Sequence, residues 1–559
     1  MTDGVWKSSP VNNDYLSPAN WESNTPPDTT GEALFKISSI TNLSIFLQFS
    51  SNAVQAWNFN AGTNYTFTIL GPYELSFNGA GIVSFGGNAT LIVEGSATLN
   101  FVNNSTAGNA TITNSATLGF VTSSKAGQAT ISNSDTLGFR NTSSADSAVI
   151  TTASGGTTTF YDTSDGGSAQ FITQFGGTAD FSQSRGPSND GEIHAGSIAG
   201  AGTYHVGAGN VLVVGGNNLT TDVSGIIDGG DLVKVGSGTL RLSHFHNNLV
   251  VVYLGYQGGT LDVAAPGAAG GGINFDLTYG GSVFATLAIE NAALSGHAFA
   301  TPISYFAASD LIDLPGLPFA VGASANYNTA TNVLSVASGG VTDTLTLNST
   351  GPGTLVAYFD GQGGTAVGFV NHVTGTSGND VLSATLSPDY FNGLAGRDLV
   401  SYAAAPAGVH ANLANPTFNA GWAGGDRYTS IEGLIGSPFD DVLTANRRGS
   451  ILRGGPGDDR LIGGVGKDKM SGGPGNDTFV FRPGFGHDVI TDFSVGPRTA
   501  HDTIELHSIA GLANFNQVKL HSAVIGGHVV IHDNSGDTIA LLHVASTAAI
   551  HGYDFHFLT

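Results

Sequence analysis

Between Gly454 and Val480 the chain reads GGPGDDRLI, GGVGKDKMS, GGPGNDTFV, three consecutive copies of G-G-x-G-x-D-x-U-x in which U is a large apolar residue. The spacing gives each position a task. Gly454, Gly455 and Gly457, then Gly463, Gly464 and Gly466, then Gly472, Gly473 and Gly475 turn the chain tightly and bring backbone carbonyls near a cation. Asp459, Asp468 and Asp477 add the hard carboxylate oxygen that calcium prefers. Leu461, Met470 and Phe479 point inward from short strands. One such nonapeptide says little, whereas three in unbroken register specify a repeating calcium-binding turn.

The register runs on upstream. Gly436–Thr444 (GSPFDDVLT) keeps Asp441, and the next nonapeptide, 445–453, carries Ser450 in place of the acid. A second block begins at Gly375 (GTSGNDVLS), Ala384 (ATLSPDYFN) and Gly393 (GLAGRDLVS), with Asp380, Asp389 and Asp398 at the sixth positions. Two nonapeptides make one coil, so turns two repeats apart stack on one edge. Asp441, Asp459 and Asp477 should form one file, Ser450 and Asp468 the opposite one, and Asp380 with Asp398 a third pairing. The tightest sites are expected near Asp459, Asp468 and Asp477, whose loops keep most glycines.

This stretch, about 375–500, resembles the RTX family of calcium-dependent proteins exported by type I secretion. GFGHDVITDFSVG (484–496) is similar to the segment that closes such rolls, and the resemblance implies Asp488 and Asp492 as further ligands. Ser450, Ala384, Ala445 and the interruption at 402–435 depart from the family pattern.

The elements ahead of this block must also be β. Phe101, Phe120, Phe139, Phe160 and Phe181 recur at 19 to 21 residues, in phase with Asn-Ala-Thr-Leu at 88–91, Asn-Ala-Thr-Ile at 109–112, Gln-Ala-Thr-Ile at 128–131 and Ser-Ala-Val-Ile at 147–150. Short β-type runs with Gly, Asn and Ser turns at that period indicate a β-solenoid. GGDLVKVGSGTLRLS (229–243) and GGTLDV (258–263) resemble the strand repeat of autotransporter passengers, and Trp6, Asn20-Trp21 and Pro26-Pro27 resemble their N-terminal cap. A cap shields the otherwise open edge of the first coil. The expected fold is all-β, a right-handed parallel β-helix followed by an RTX parallel β-roll. Its expected divisions are a cap over 1–81, a rod over 82–370, the roll over 371–500 and a C-terminal β segment over 501–559.

Charge narrows the partners. The formal net charge is −24, and before residue 375 only 7 Lys or Arg face 24 acids. Such a surface repels nucleic acid and anionic lipid and attracts divalent cations. No cysteine is present, so neither disulfides nor thiolate metal sites contribute. No apolar run is long enough to span a membrane. The N-terminus lacks the basic and apolar regions of a secretory signal peptide, while Asp554-Phe-His-Phe-Leu-Thr559 is similar to uncleaved type I signals.

H-E-x-x-H and G-x-S-x-G motifs are absent, against a metalloprotease or an α/β-hydrolase lipase. The enzyme alternative is a polysaccharide lyase or epimerase using Asp135, Asp146, Asp162, Asp165 or Asp180 with Lys125 or Arg140. Nine of 16 histidines fall between His487 and His556; His528 with His532, and His244 with His246, share strand faces. The sequence therefore reads as a secreted calcium-binding β-solenoid acting at a cell surface, on extracellular polysaccharide or in a matrix, folded by calcium after export through type I machinery.

Overall fold

The computed structural model describes residues 3–558, apart from 29–30, 47–51, 60–63, 85–86, 246–248, 256–258, 276–284, 308–309, 352, 361, 386 and 497–500. His246 and Thr559 lie outside the described residues. The chain forms two compact units, Met1–Tyr305 with Leu345–Ser349, and Phe306–Thr344 with Thr350–Thr559.

The first unit is a parallel β-solenoid. Thr98–Phe101, Thr117–Phe120 and Thr136–Phe139 pair in register, so each residue lies over its counterpart one coil away. Alternation decides what enters the core: Leu118 and Phe120 are buried while Thr117 is exposed. The aromatic period becomes a continuous stack. Phe101, Phe120, Phe139, Phe160 and Phe181 follow one another at centroid separations of 5.0, 4.9, 4.6 and 4.8 Å, with planes within 9°. That step matches the spacing of neighbouring strands, about 4.8 Å. On the second sheet Leu91, Ile112, Ile131 and Ile150 stand in one buried file. Asn114 and Asn133, both fully buried, form a ladder: the Asn114 amide donates to Asn133 Oδ1 at 2.7 Å and to Thr136 O at 2.9 Å, and the Asn133 amide donates to Thr157 O at 3.0 Å.

The two glycine-punctuated segments further on pair as strands, Thr239–Leu242 with Thr260–Val263. At the N-terminus Trp6, Tyr15, Trp21, Phe35 and Trp57 pack into one buried aromatic cluster. Buried Asn20 ties its loop, accepting the Val11 and Asn12 N–H groups on Oδ1 and donating to Asp14 O.

The second unit opens with antiparallel pairing: Ser324–Asn328 with Val333–Ser338, and Leu355–Phe359 with Thr365–Phe369, which also pairs with Leu311–Leu314. Parallel coiling resumes at Asn371–Thr374. Val381–Ser383, Leu399–Ser401, Gly433–Ile435, Ile451–Arg453, Lys469–Ser471 and His487–Ile490 form one ladder; His410–Asn412, Val442–Thr444, Arg460–Ile462, Thr478–Phe481, Thr503–His507 and Phe555–Leu558 form the other. These short strands send large residues inward. Leu382, Val400, Leu434, Leu452, Met470 and Ile490 line one side, and Leu443, Leu461, Phe479, Ile504 and Phe555 the other. The 402–435 segment, expected as an interruption, joins the coils: Gly433–Ile435 pairs directly with Leu399–Ser401, His410–Asn412 with Val442–Thr444, and Arg427–Thr429 with the strand that Asp389 opens. The Asp554–Leu558 tail is part of the roll, its strand lying along Thr503–His507.

Candidate metal centre

The motif aspartates lie at the turn before their strands, or open the strand in the case of Asp389, and the structure links these acids in files. The backbone N–H of Asp441 donates to Asp459 Oδ1 at 2.9 Å, that of Asp459 to Asp477 Oδ1 at 2.9 Å, and that of Asp477 to Asp502 Oδ1 at 3.0 Å. Asp441 Oδ1 accepts from Val409 N–H at 2.7 Å. On the opposite edge Ser450 N–H donates to Asp468 Oδ1 and Asp468 N–H to Asp488 Oδ1, at 2.6 and 2.7 Å. Asp380 N–H reaches Asp398 Oδ1, and Asp398 N–H reaches Glu432 Oε2, both at 2.8 Å. Asp389 N–H donates to Asp426 Oδ1 at 2.7 Å. One oxygen of each acceptor is thus consumed in holding the preceding coil.

The second oxygen separates two kinds of turn. At Asp380, Asp389, Asp441 and Asp468 the other oxygen, Oδ2, accepts the N–H of the residue four positions back, at 2.6 to 2.7 Å. At Asp398, Asp459, Asp477 and Asp488, Oδ2 is buried with no hydrogen-bond partner. A buried carboxylate oxygen left this way is costly unless something positive meets it. The first glycine of each turn leaves the space. A Cβ on Gly454 would overlap Asp459 Oδ2 and sit 2.6 Å from Gly472 O, and one on Gly472 would overlap Asp477 Oδ2. A Cβ on Gly463 would stand 3.5 to 3.7 Å from Asp468 Oδ2, Asp488 Oδ2 and Val480 O, a wider oxygen-lined gap. Gly455 and Gly457, at φ of 122° and 136°, hold a backbone that a side chain would strain. Among the described residues no three His, Asp or Glu side chains converge as a cluster; the acids arrive one per turn, alongside carbonyls. Hard oxygens of both kinds, spaced in this way, fit calcium.

Electrostatics point the same way. Burial pushes the Asp459 carboxyl up to about 8, with Asp441 and Asp477 adding to the rise, and lifts Asp477 to about 7 and Asp488 to about 8. Burial also raises Asp389, Asp441, Asp468 and Asp502. Like charges stacked out of water favour either a proton or a cation.

Asp492 stands apart from the files. It is exposed and caps the third motif turn, accepting from Ser471 Oγ–H and from the Gly472 and Gly473 N–H groups. Asp426, Glu432 and Asp502, absent from the sequence-based set, occupy file positions. Their signal was an acid, any residue, then a large apolar residue (Asp-Arg-Tyr, Glu-Gly-Leu, Asp-Thr-Ile) at intervals other than 18. The fifth motif position forms an outer ladder: Asp458 N–H to Asp440 Oδ1 and Asn476 N–H to Asp458 Oδ1, both 2.8 Å, then His501 N–H to Asn476 Oδ1 at 3.0 Å.

The acids of the enzyme alternative serve turns. Asp162 Oδ2 accepts from Asn141 N–H, Asp165 Oδ1 from His194 N–H, Asp180 Oδ1 from Ser182 N–H and Asp135 Oδ1 from Thr136 Oγ1–H. Asp146 takes a positive-φ turn position, Lys125 forms bridges to neighbouring turns, and Arg140 lies over the Tyr161 ring at 3.9 Å. His528 accepts the His543 N–H on Nδ1, and those two rings meet edge-on at 5.9 Å.

A family profile of RTX calcium-binding nonapeptide repeats, four copies, matches residues 371–404 and 448–479, spanning Asp380, Asp389, Asp398, Asp459, Asp468 and Asp477. No curated protein matches the chain. Among solved structures, the extracellular lipase LipA from Serratia marcescens is similar over 63% of this chain and 45% of its own length, at 13% identity and a TM-score of 0.16. No helix among the described residues is long and apolar enough to cross a membrane. The chain therefore carries RTX calcium-binding nonapeptide repeats, set within a parallel β-solenoid.

Proposed function

We propose that this protein is a secreted β-solenoid, stabilised and folded in its C-terminal unit by calcium, that serves as a surface, adhesion or extracellular-matrix component. The observation that carries the reading is the set of buried carboxylate oxygens without partners at Asp398, Asp459, Asp477 and Asp488, each with its second oxygen already engaged or facing a motif turn. These acids would hold calcium together with Asp380, Asp389, Asp441 and Asp468 and the carbonyls of the stacked motif glycines. Asp492 would act by fixing the third turn. The bound ion supplies positive charge where the files concentrate negative charge, so binding energy becomes folding energy. Extracellular calcium, about 1 mM, fills sites of modest affinity that a low-calcium cytosol leaves unfilled. That difference suits export by a type I route, with folding beginning outside the cell.

Limited proteolysis of the full chain tests this. With calcium, cleavage between 375 and 558 should be suppressed; with chelator it should be rapid, while 98–228 resists in both. Equal resistance of the C-terminal unit in both media refutes calcium-driven folding. Secretion from cells should fail when 500–559 is deleted and survive deletion of 1–40; the reverse pattern excludes the type I route.

A further inference from the structure

The nonapeptide at 445–453 is the one whose sixth position lost its acid, and the structure shows what stands there. Asn446 N–H donates to Ser450 Oγ at 3.0 Å, where equivalent turns give that amide to an aspartate oxygen. The turn instead carries Arg447 and Arg448, both exposed and neither in an ion pair among the described residues. Arg448 lines a cavity of about 380 Å³ with Tyr428, Ser430 and Asn446. Arg447 lines it too, and also a second cavity of about 200 Å³ that reaches Arg482. The two cavities share Ala414, Asn446 and Arg447, so they adjoin as one trough. Three of the chain's 18 basic residues thus gather in one place on a molecule of net charge −24. The one acid in the lining, Glu432, has Oε2 turned to Asp398 N–H.

We propose that this trough binds an acidic polysaccharide of the uronate class, which gives the surface-binding role above, on which the inference rests, a place and a ligand chemistry. Guanidinium groups meet carboxylates through paired N–H donors, and a uronate chain presents one carboxylate per sugar with hydroxyls between. Asn446 and Ser430 line the same trough and offer polar groups to those hydroxyls. Two adjoining cavities suit an extended chain better than a compact ligand. The rest of the acidic surface disfavours a denser polyanion such as nucleic acid.

The test uses the full chain in saturating calcium, with oligogalacturonate as the probe and titration calorimetry as the readout. Dextran and a DNA oligonucleotide are the comparisons. Wild type should bind the uronate selectively and lose affinity as salt rises. The R447Q/R448Q variant should bind about tenfold or more weakly, and R482Q less so. The calcium-induced rise in melting temperature, measured on the same samples, reports the calcium reading separately and should be unchanged by these substitutions. Equal binding by R447Q/R448Q would mean that bound calcium bridges the carboxylates, and would overturn the assignment. So would absence of uronate binding, or equal binding of dextran or DNA.

Discussion

Asp459→Asn separates a metal ligand from a structural hydrogen-bond acceptor. Asp459 Oδ1 holds Asp441 N–H while Oδ2 is buried with no protein partner. The amide keeps an acceptor for Asp441 and replaces a buried carboxyl that burial pushes up to about 8. Relief of an unsatisfied buried group is worth about 1–3 kcal/mol, so in chelator the variant should be more stable than wild type. In calcium it should gain less. Losing one site filled at about a hundred times its Kd removes about 2.7 kcal/mol of ligand-linked stability. For a unit of this size each kcal/mol moves the midpoint by about 2–4 °C. Scanning calorimetry of the full chain in chelator and in calcium gives both quantities, from the transition that calcium shifts. Asp441→Asn is the matched control: its Oδ2 already accepts from Ser437 N–H at 2.6 Å, so the metal-free baseline should not rise. A lowered baseline for Asp459→Asn with an unchanged calcium increment would refute the reasoning and leave Asp459 as a turn acceptor only.

Further outcomes follow from the same geometry. Because Asp459, Asp477 and Asp488 titrate higher in the fold than their ordinary value of 3.8, the folded state binds more protons than the unfolded one. Metal-free stability should therefore fall as pH rises from about 4 through about 8 and then level, and calcium added near pH 7 should release protons in a weakly buffered titration. Gly454→Ala, whose Cβ would overlap Asp459 Oδ2, should raise the calcium midpoint about tenfold in a circular-dichroism titration without changing any charge. Arg460 grips Glu505 through two contacts of 2.7 Å, Nη1 to Oε2 and Nη2 to Oε1, and holds its carboxyl down to about 2. Glu505→Gln should cost about 1–2 kcal/mol at neutral pH in urea unfolding, an effect lost as pH falls from the ordinary 4.5 through about 2. Phe139→Ala, in the aromatic stack, should cost about 3–5 kcal/mol equally with and without calcium.

The parts of this fold that the sequence displays are those where one physical rule repeats without interruption. The phenylalanine period became a stack because parallel strands in register place identical residues one strand-spacing apart. The 18-residue step became the Asp441–Asp459–Asp477 file for the same reason. Where the step changes, the eye loses the file: Asp398 continues to Glu432 across 34 residues and Asp477 to Asp502 across 25. The tripeptide of acid, spacer and apolar residue persisted there, since the acid must sit at the turn and the apolar residue in the core, while the loop between is free to lengthen. The difference between Asp468, with its Oδ2 on Gly464 N–H, and Asp459, with a free Oδ2, depends on backbone direction at one glycine, which residue types alone do not encode. Antiparallel pairing over 311–369 was equally hidden, because its strands and turns use the same residue types as the parallel coils.

The buried amide-to-carboxylate contacts of the sixth motif positions run one way along the chain, opposite to the exposed fifth-position ladder. Asp441 is held by Asp459, Asp459 by Asp477 and Asp477 by Asp502, each acceptor belonging to the later coil. The roll is therefore a vectorial template. A coil that has formed offers its predecessor a finished docking point, whereas a coil with nothing ordered behind it toward the C-terminus has an amide with no place to go. Along this buried file order should spread from Asp502 toward Asp441 more readily than in the opposite sense, and a chain entering its folding environment tail first would meet each buried acceptor already in position.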